Sequence, residues 1–131
     1  MARFLIAGSR NRYAPVRLID HALGSLDSEQ RLYTQHVIIS GTAGGVDTSG
    51  EHWALSHKHE ILYMPADWNK YGKKAGHIRN NEMVNVPPDF AFVLWDGESH
   101  GTKGMIKLLA TKRIPHLVYV DYEGTYGLQE K

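Results

Sequence analysis

Five short apolar runs, separated by turn residues and by longer helix-like stretches, constrain this chain more than any other feature. They occupy residues 3–7, 36–39, 60–64, 90–95 and 116–120. The runs are rich in β-branched and aromatic residues and nearly continuous rather than alternating, which is how strands covered on both faces read. Between them lie candidate helices at 15–26, 47–58, 78–84 and 102–113. The first places Val16, Ile19, Leu23 and Leu26 on one stripe and starts at Pro15, where a missing N–H is harmless. The last places Met105, Ile106, Leu109 and Ala110 on one face. Strands alternating with helices of this length predict βαβ units. The expected fold is α/β: a Rossmann-like three-layer sandwich whose parallel sheet of about five strands, order 3-2-1-4-5, carries helices on both faces. A single domain over 1–131 is expected, with 121–131 as a peripheral tail.

Composition narrows the function classes. The chain contains no cysteine, which removes disulfides, thiolate metal sites and cysteine nucleophiles. Fifteen Lys and Arg stand against fourteen Asp and Glu, a net charge of +1 that gives no support to a nucleic-acid partner. Eight histidines are scattered, and His57 and His59 are spaced to fall on different helix faces, so no metal site is expected. No apolar stretch approaches the ~18 residues of a membrane span, and the N-terminal apolar run is too short for a signal peptide. A cytoplasmic protein without a membrane partner is the expectation.

In an open parallel sheet, ligands bind beyond the carboxyl ends of the strands. The residues just after the strands are therefore the informative ones. They are Gly8-Ser9-Arg10; Ser40-Gly41-Thr42-Ala43-Gly44-Gly45-Val46-Asp47; Pro65-Ala66-Asp67; and Asp96-Gly97-Glu98-Ser99-His100-Gly101-Thr102. Two of these are glycine-rich turns that open onto a helix, where amides and the helix dipole favour an anion. Neither has the spacing of a Walker A loop or of a dinucleotide fingerprint. Ser40, Thr42, Ser99 and Thr102 offer hydroxyls to the same anion. Arg10 is either a surface arginine or a planar clamp for phosphate. Asp47 is either a helix cap or an acceptor for ribose hydroxyls, and Asp96 and Glu98 are either loop carboxylates or contacts to sugar or base.

The segment 65–77 is long for a connection in a compact domain. It leads into a run with Lys70, Lys73, Lys74, His77 and Arg79 and no acid among them. Such a run is either a solvated loop or a cover that closes over an anion. Trp68 and Tyr71 are either core residues or a lid that stacks on a base.

These turns, together with the block Pro65-Ala66-Asp67-Trp68-Asn69-Lys70-Tyr71-Gly72-Lys73-Lys74-Ala75-Gly76-His77-Ile78-Arg79-Asn80-Asn81-Glu82-Met83, resemble the YspA-like branch of the SLOG superfamily, found in bacteria and their phages. The resemblance covers about residues 3–120, and its specificity lies in that long block. It implies a Rossmann-like fold and a nucleotide-derived ligand. It also implies a relation to LOG-type phosphoribohydrolases, in which Arg79 matches the active-site arginine and Gly101-Thr102 match part of a phosphate loop. Met105 stands where those enzymes carry their catalytic glutamate, and Asn80 replaces their lysine.

The expected function is thus binding of a nucleotide, dinucleotide or ADP-ribose-like metabolite, as a sensor or binding protein. The alternative is an enzyme that cleaves an N-glycosidic or phosphate bond. The expected ligand contacts are Gly8, Ser9, Arg10, Ser40, Gly41, Gly44, Gly45, Asp47, Asp67, Trp68, Lys73, Arg79, Asn80, Asp96, Gly97, Gly101 and Thr102. The candidate catalytic groups are Arg79, Glu82 and Asp96, with Asp67 as a further carboxylate. No cofactor and no metal are expected, the partner is a nucleotide-like small molecule, and a homodimer is possible.

Overall fold

A computed structural model describes residues 1–27 and 34–129. The strands are β1 (Arg3–Gly8), β2 (Val37–Ser40), β3 (Glu60–Tyr63), β4 (Phe90–Trp95), β5 (His116–Tyr122) and β6 (Thr125–Leu128). The helices are α1 (Val16–Leu26), α2 (Val46–Ser56), α3 (Trp68–Tyr71), α4 (Ala75–Val84) and α5 (His100–Thr111), with a 3-10 turn, Gly72–Lys74, joining α3 to α4. The sheet order is β3-β2-β1-β4-β5-β6. The first five strands pair in parallel, and β6 returns antiparallel to β5. The expected order holds, and the tail extends it by a strand.

Strand residues alternate between two cores, which is why the runs read as continuously apolar. Phe4, Ile6, Ile38, Phe92 and Leu94 face α1 and α2, where Ile19, Leu23, Val46 and Trp53 cover them. Leu5, Ala7, Ile39, Ala91 and Val93 face α4 and α5, where Met83, Val84, Met105 and Leu109 cover them. A fully buried side chain of this size contributes about 1.5–3 kcal/mol, so helix placement follows from the apolar stripes. Trp53 adds a polar anchor, donating from Nε1 to Asp20 Oδ1 at 2.8 Å.

Three local outcomes differ from the sequence expectation. The segment 65–77 is not an extended loop, because α3 and the 3-10 turn fill it and α4 begins at Ala75 instead of residue 78. Asp67 caps α3, its carboxylate accepting the Lys70 amide at 3.1 Å. The tail after residue 121 is a hairpin. Glu123 and Gly124 both have positive φ, the conformation a two-residue hairpin loop requires, and Tyr122 pairs with Thr125 across it.

A candidate anion-binding cavity at the sheet switch point

Strand order reverses between β1 and its neighbours β2 and β4. The loops leaving β1 and β4 part there, and a cavity of about 490 Å³ opens between them. That volume suits a nucleotide-sized ligand. From the β1 loop it is lined by Gly8, Ser9, Arg10 and Asn11, and from the start of α5 by Ser99, His100, Gly101 and Thr102. Trp68, Lys73, His77, Arg79 and Asn80 close the α3–α4 side, and Ala43 and Asp47 stand on the α2 side. Met83 and Met105 form apolar floor.

The two helix starts differ. At α2 several of the local amides are already used. Val46 N–H donates to Ser9 O, Asp47 N–H to Gly44 O, and Ala43 N–H to the Asp47 carboxylate at 2.9 Å. Asp47 therefore does not cap its own helix but holds the loop before it. At α5, Ser99 supplies no capping side chain. In this turn the Ser99 N–H donates to Asp96 Oδ1 at 2.7 Å and the Lys103 N–H donates to Ser99 O. His100, Gly101 and Thr102 line the cavity, and their amides are the orphan donors of a helix N-terminus, at the positive end of its dipole. Ser9 joins the walls: its hydroxyl accepts the Asp96 amide at 3.1 Å and lies 3.4 Å from the Thr102 hydroxyl.

Arg79 is only 9% exposed. Its Nη1 donates to Gly41 O and its Nε to Asn80 Oδ1 at 2.9 Å. Burial lowers its pKa, the Asp47 carboxylate opposes that, and Arg10 adds to it. Arg10 is exposed, and its guanidinium carbon sits 5.6 Å from the centre of the Trp68 ring. Trp68 is 49% exposed, and a Cβ on Gly76 would come within 3.3 Å of its ring. Gly76 thus makes room for the indole at the cavity wall.

Of the expected contacts, Gly8, Ser9, Arg10, Asp47, Trp68, Lys73, Arg79, Asn80, Gly101 and Thr102 meet at the cavity. The others stand outside its lining. Ser40 is turned away by its bonds to Glu51 Oε2 at 2.6 Å and to the Thr42 amide. Gly41 accepts Arg79 and leaves space for it, since a Cβ there would lie 2.9 Å from Nη1. Gly45 lets two loops touch, because a Cβ would collide with the carbonyls of Ser9 and Arg10. Gly44 takes a positive φ beside it, and Gly97 shapes the turn after β4.

None of the three non-arginine candidates for acid–base work reaches the cavity lining. Glu82 is exposed on α4, and Asp67 is occupied as a cap. Asp96 Oδ1 accepts the amides of Glu98 and Ser99, and Oδ2 the Ser99 hydroxyl. Partial burial pushes the Asp96 carboxyl up, but the bonds from Ser99 and Glu98 outweigh this and hold it below the usual carboxylate range. Asp47 is the carboxylate that does line the cavity among the described residues. Burial raises it to about 6, against the lowering effects of the Ala43 amide and Arg79.

Sequence reasoning passed over Asn11, Gly76 and His100 as site residues. The signal for His100 was its place beside Gly101 at a helix start. Gly76 had none, because its role depends on where the indole packs.

Gene 61 protein of Mycobacterium phage D29 is 32% identical over 126 residues, covering 92% of this chain and 98% of that protein. No solved structure matches. No helix among the described residues is long and apolar enough to cross a membrane. The model of one family matches residues 2–71, and on that match and on the phage relative the chain belongs to the YspA, cpYpsA-related SLOG family, whose membership suggests binding or processing of a nucleotide-related ligand.

Proposed function

We propose that this protein binds a phosphate-bearing, nucleotide-derived ligand and acts as a sensor or binding protein for it. The observation that carries the reading is the open first turn of α5. Its three leading residues have no capping side chain and line a nucleotide-sized cavity also walled by Arg10, Lys73 and Arg79. Backbone donors at a helix start and guanidinium groups are the usual partners of phosphate. Trp68 supplies an apolar wall of the size of a base.

Binding is preferred over turnover because Glu82, Asp67 and Asp96 lie outside the cavity lining, and Met105 is buried where the related phosphoribohydrolases carry a glutamate. General acid–base assistance is worth about 10²–10⁴ in rate, and none of those three carboxylates is placed to give it; Asp47, which does line the cavity, is committed through its carboxylate to the loop before α2.

The test is a thermal-shift screen over nucleoside monophosphates, NAD, ADP-ribose and cyclic dinucleotides, with chromatography of every stabilising compound after incubation. Stabilisation with the compound intact is expected. Release of a base or of phosphate would make the protein an enzyme, and no stabilisation by any phosphate-bearing compound would remove the reading.

A further inference from the structure

Resting on the reading of the cavity as an anion site, we infer that the cavity takes its anion together with one proton, carried on Asp47. Three features of the geometry point there. Asp47 is 4% exposed and is the carboxylate that lines the cavity among the described residues. Its Oδ2 is fixed by the Ala43 amide at 2.9 Å, so the carboxylate cannot swing out to water without breaking the loop before α2. The cation beside it is fixed too, since Arg79 is held at Nη1 by Gly41 and at Nε by Asn80.

An entering phosphate therefore shares one immobilised guanidinium with a buried carboxylate. A second anion beside a buried carboxylate disfavours the ionised form of both, and the group that yields is the one already hard to ionise. Burial has brought Asp47 to about 6, so a modest further push suffices near neutral pH. The Ala43 and Gly8 amides donate to the ionised carboxylate and oppose this step, and once it takes the proton Asp47 changes from a repelling neighbour into a hydrogen-bond donor.

The charged groups around Asp47 set the size of the effect. Glu51 lies one turn on in α2 and pushes in the same direction, and Arg79 on α4 opposes it. Arg10, Lys73, His77 and His100 face the same cavity from the β1 loop, the 3-10 turn, α4 and α5. A histidine that gains a proton also draws an anion, so His77 and His100 need a separate control.

The experiment is calorimetric titration of the full chain with ADP-ribose, which lacks a phosphate monoester and so does not itself titrate near pH 6. Inorganic sulfate serves as the second probe. Measurements at pH 6–8 in buffers of different ionisation enthalpy count the protons exchanged. Uptake of up to one proton is expected, with affinity falling as pH rises by at most about tenfold per unit. D47N keeps an acceptor for Ala43 and should bind with a much flatter profile, whereas the H77A/H100A variant should keep the slope. Binding without proton uptake in the native chain overturns the proposal and leaves the anion site standing, and so does a slope lost only in the histidine variant. Failure of both ADP-ribose and sulfate to bind overturns the proposal and the reading beneath it.

Discussion

Arg79 donates from Nη1 to the carbonyl oxygen of Gly41, tying the middle of α4 to the loop that leaves β2. The guanidinium is thus part of the fold as well as of the cavity wall. Sequence alone suggests an arginine that matters for a ligand, and the buried bonds to Gly41 and Asn80 add a structural role. Arg79→Ala should cost about 2–3 kcal/mol of stability, the size of a lost buried hydrogen bond to a charged group, and also weaken anion binding. Urea denaturation read beside ligand titration checks both. Unchanged stability would mean that the Gly41 bond contributes nothing.

The two glycines before α2 should respond differently to alanine. Gly45 has a φ of +54°, and a Cβ there would strike the carbonyls of Ser9 and Arg10. Gly44 has a φ of +84° with open space around it. Gly44→Ala should therefore cost about 1–2 kcal/mol, the left-handed penalty alone. Gly45→Ala should cost more, because the β1 and β2 loops must separate. Equal losses in a denaturation series would refute the loop contact.

These glycines show where sequence reading stops. The strands were legible because burial on both faces leaves a local mark, a continuous apolar run. The cavity was legible in outline because ligand residues in a parallel sheet follow the strands. What was not legible is how Gly45 meets a loop 35 positions earlier in the chain, where the missing side chain lets the two loops touch. Strand β6 was missed because Thr-Tyr-Gly-Leu is short and half polar. The Glu123-Gly124 pair between two tyrosine-bearing stretches was the available hairpin signal.

Trp68 gives a more direct probe of the ligand. It is half exposed on a four-residue helix, so Trp68→Ala should cost only the packing of its buried half, about 1–2 kcal/mol of stability. If a base stacks on it, the same change should lower affinity for AMP by about 1–3 kcal/mol and leave sulfate binding unaltered. Arg10 lies against the indole, so Arg10→Ala should weaken AMP and sulfate alike. Equal loss for AMP and sulfate in Trp68→Ala would make the indole a prop for Arg10 and not a base platform. Indole fluorescence upon AMP addition, compared between native and Trp68→Phe chains, reports contact independently of affinity.

Acid should loosen the β2–β3 side of the sheet through His59. Ala2 N–H donates to His36 Nδ1 at 2.9 Å, and His36 N–H donates to His59 Nδ1 at 3.0 Å. His59 thus accepts at Nδ1 and carries its own proton on Nε2, a buried atom with no partner among the described residues. Further protonation has to occur at Nδ1, opposite a backbone N–H that cannot turn away. Burial lowers the His59 pKa, and His36 and His57 lower it further. The unfolded chain titrates at the ordinary histidine value near 6.5, so below that pH it holds more protons at this site than the folded chain. The stabilisation is complete above about 6.5 and is lost as pH falls through the folded value. His59→Asn keeps an acceptor for His36 and cannot gain charge in this range. It should flatten the dependence of denaturation midpoint on pH between 5 and 6.5. An unchanged slope in that variant would assign the acid sensitivity to another group.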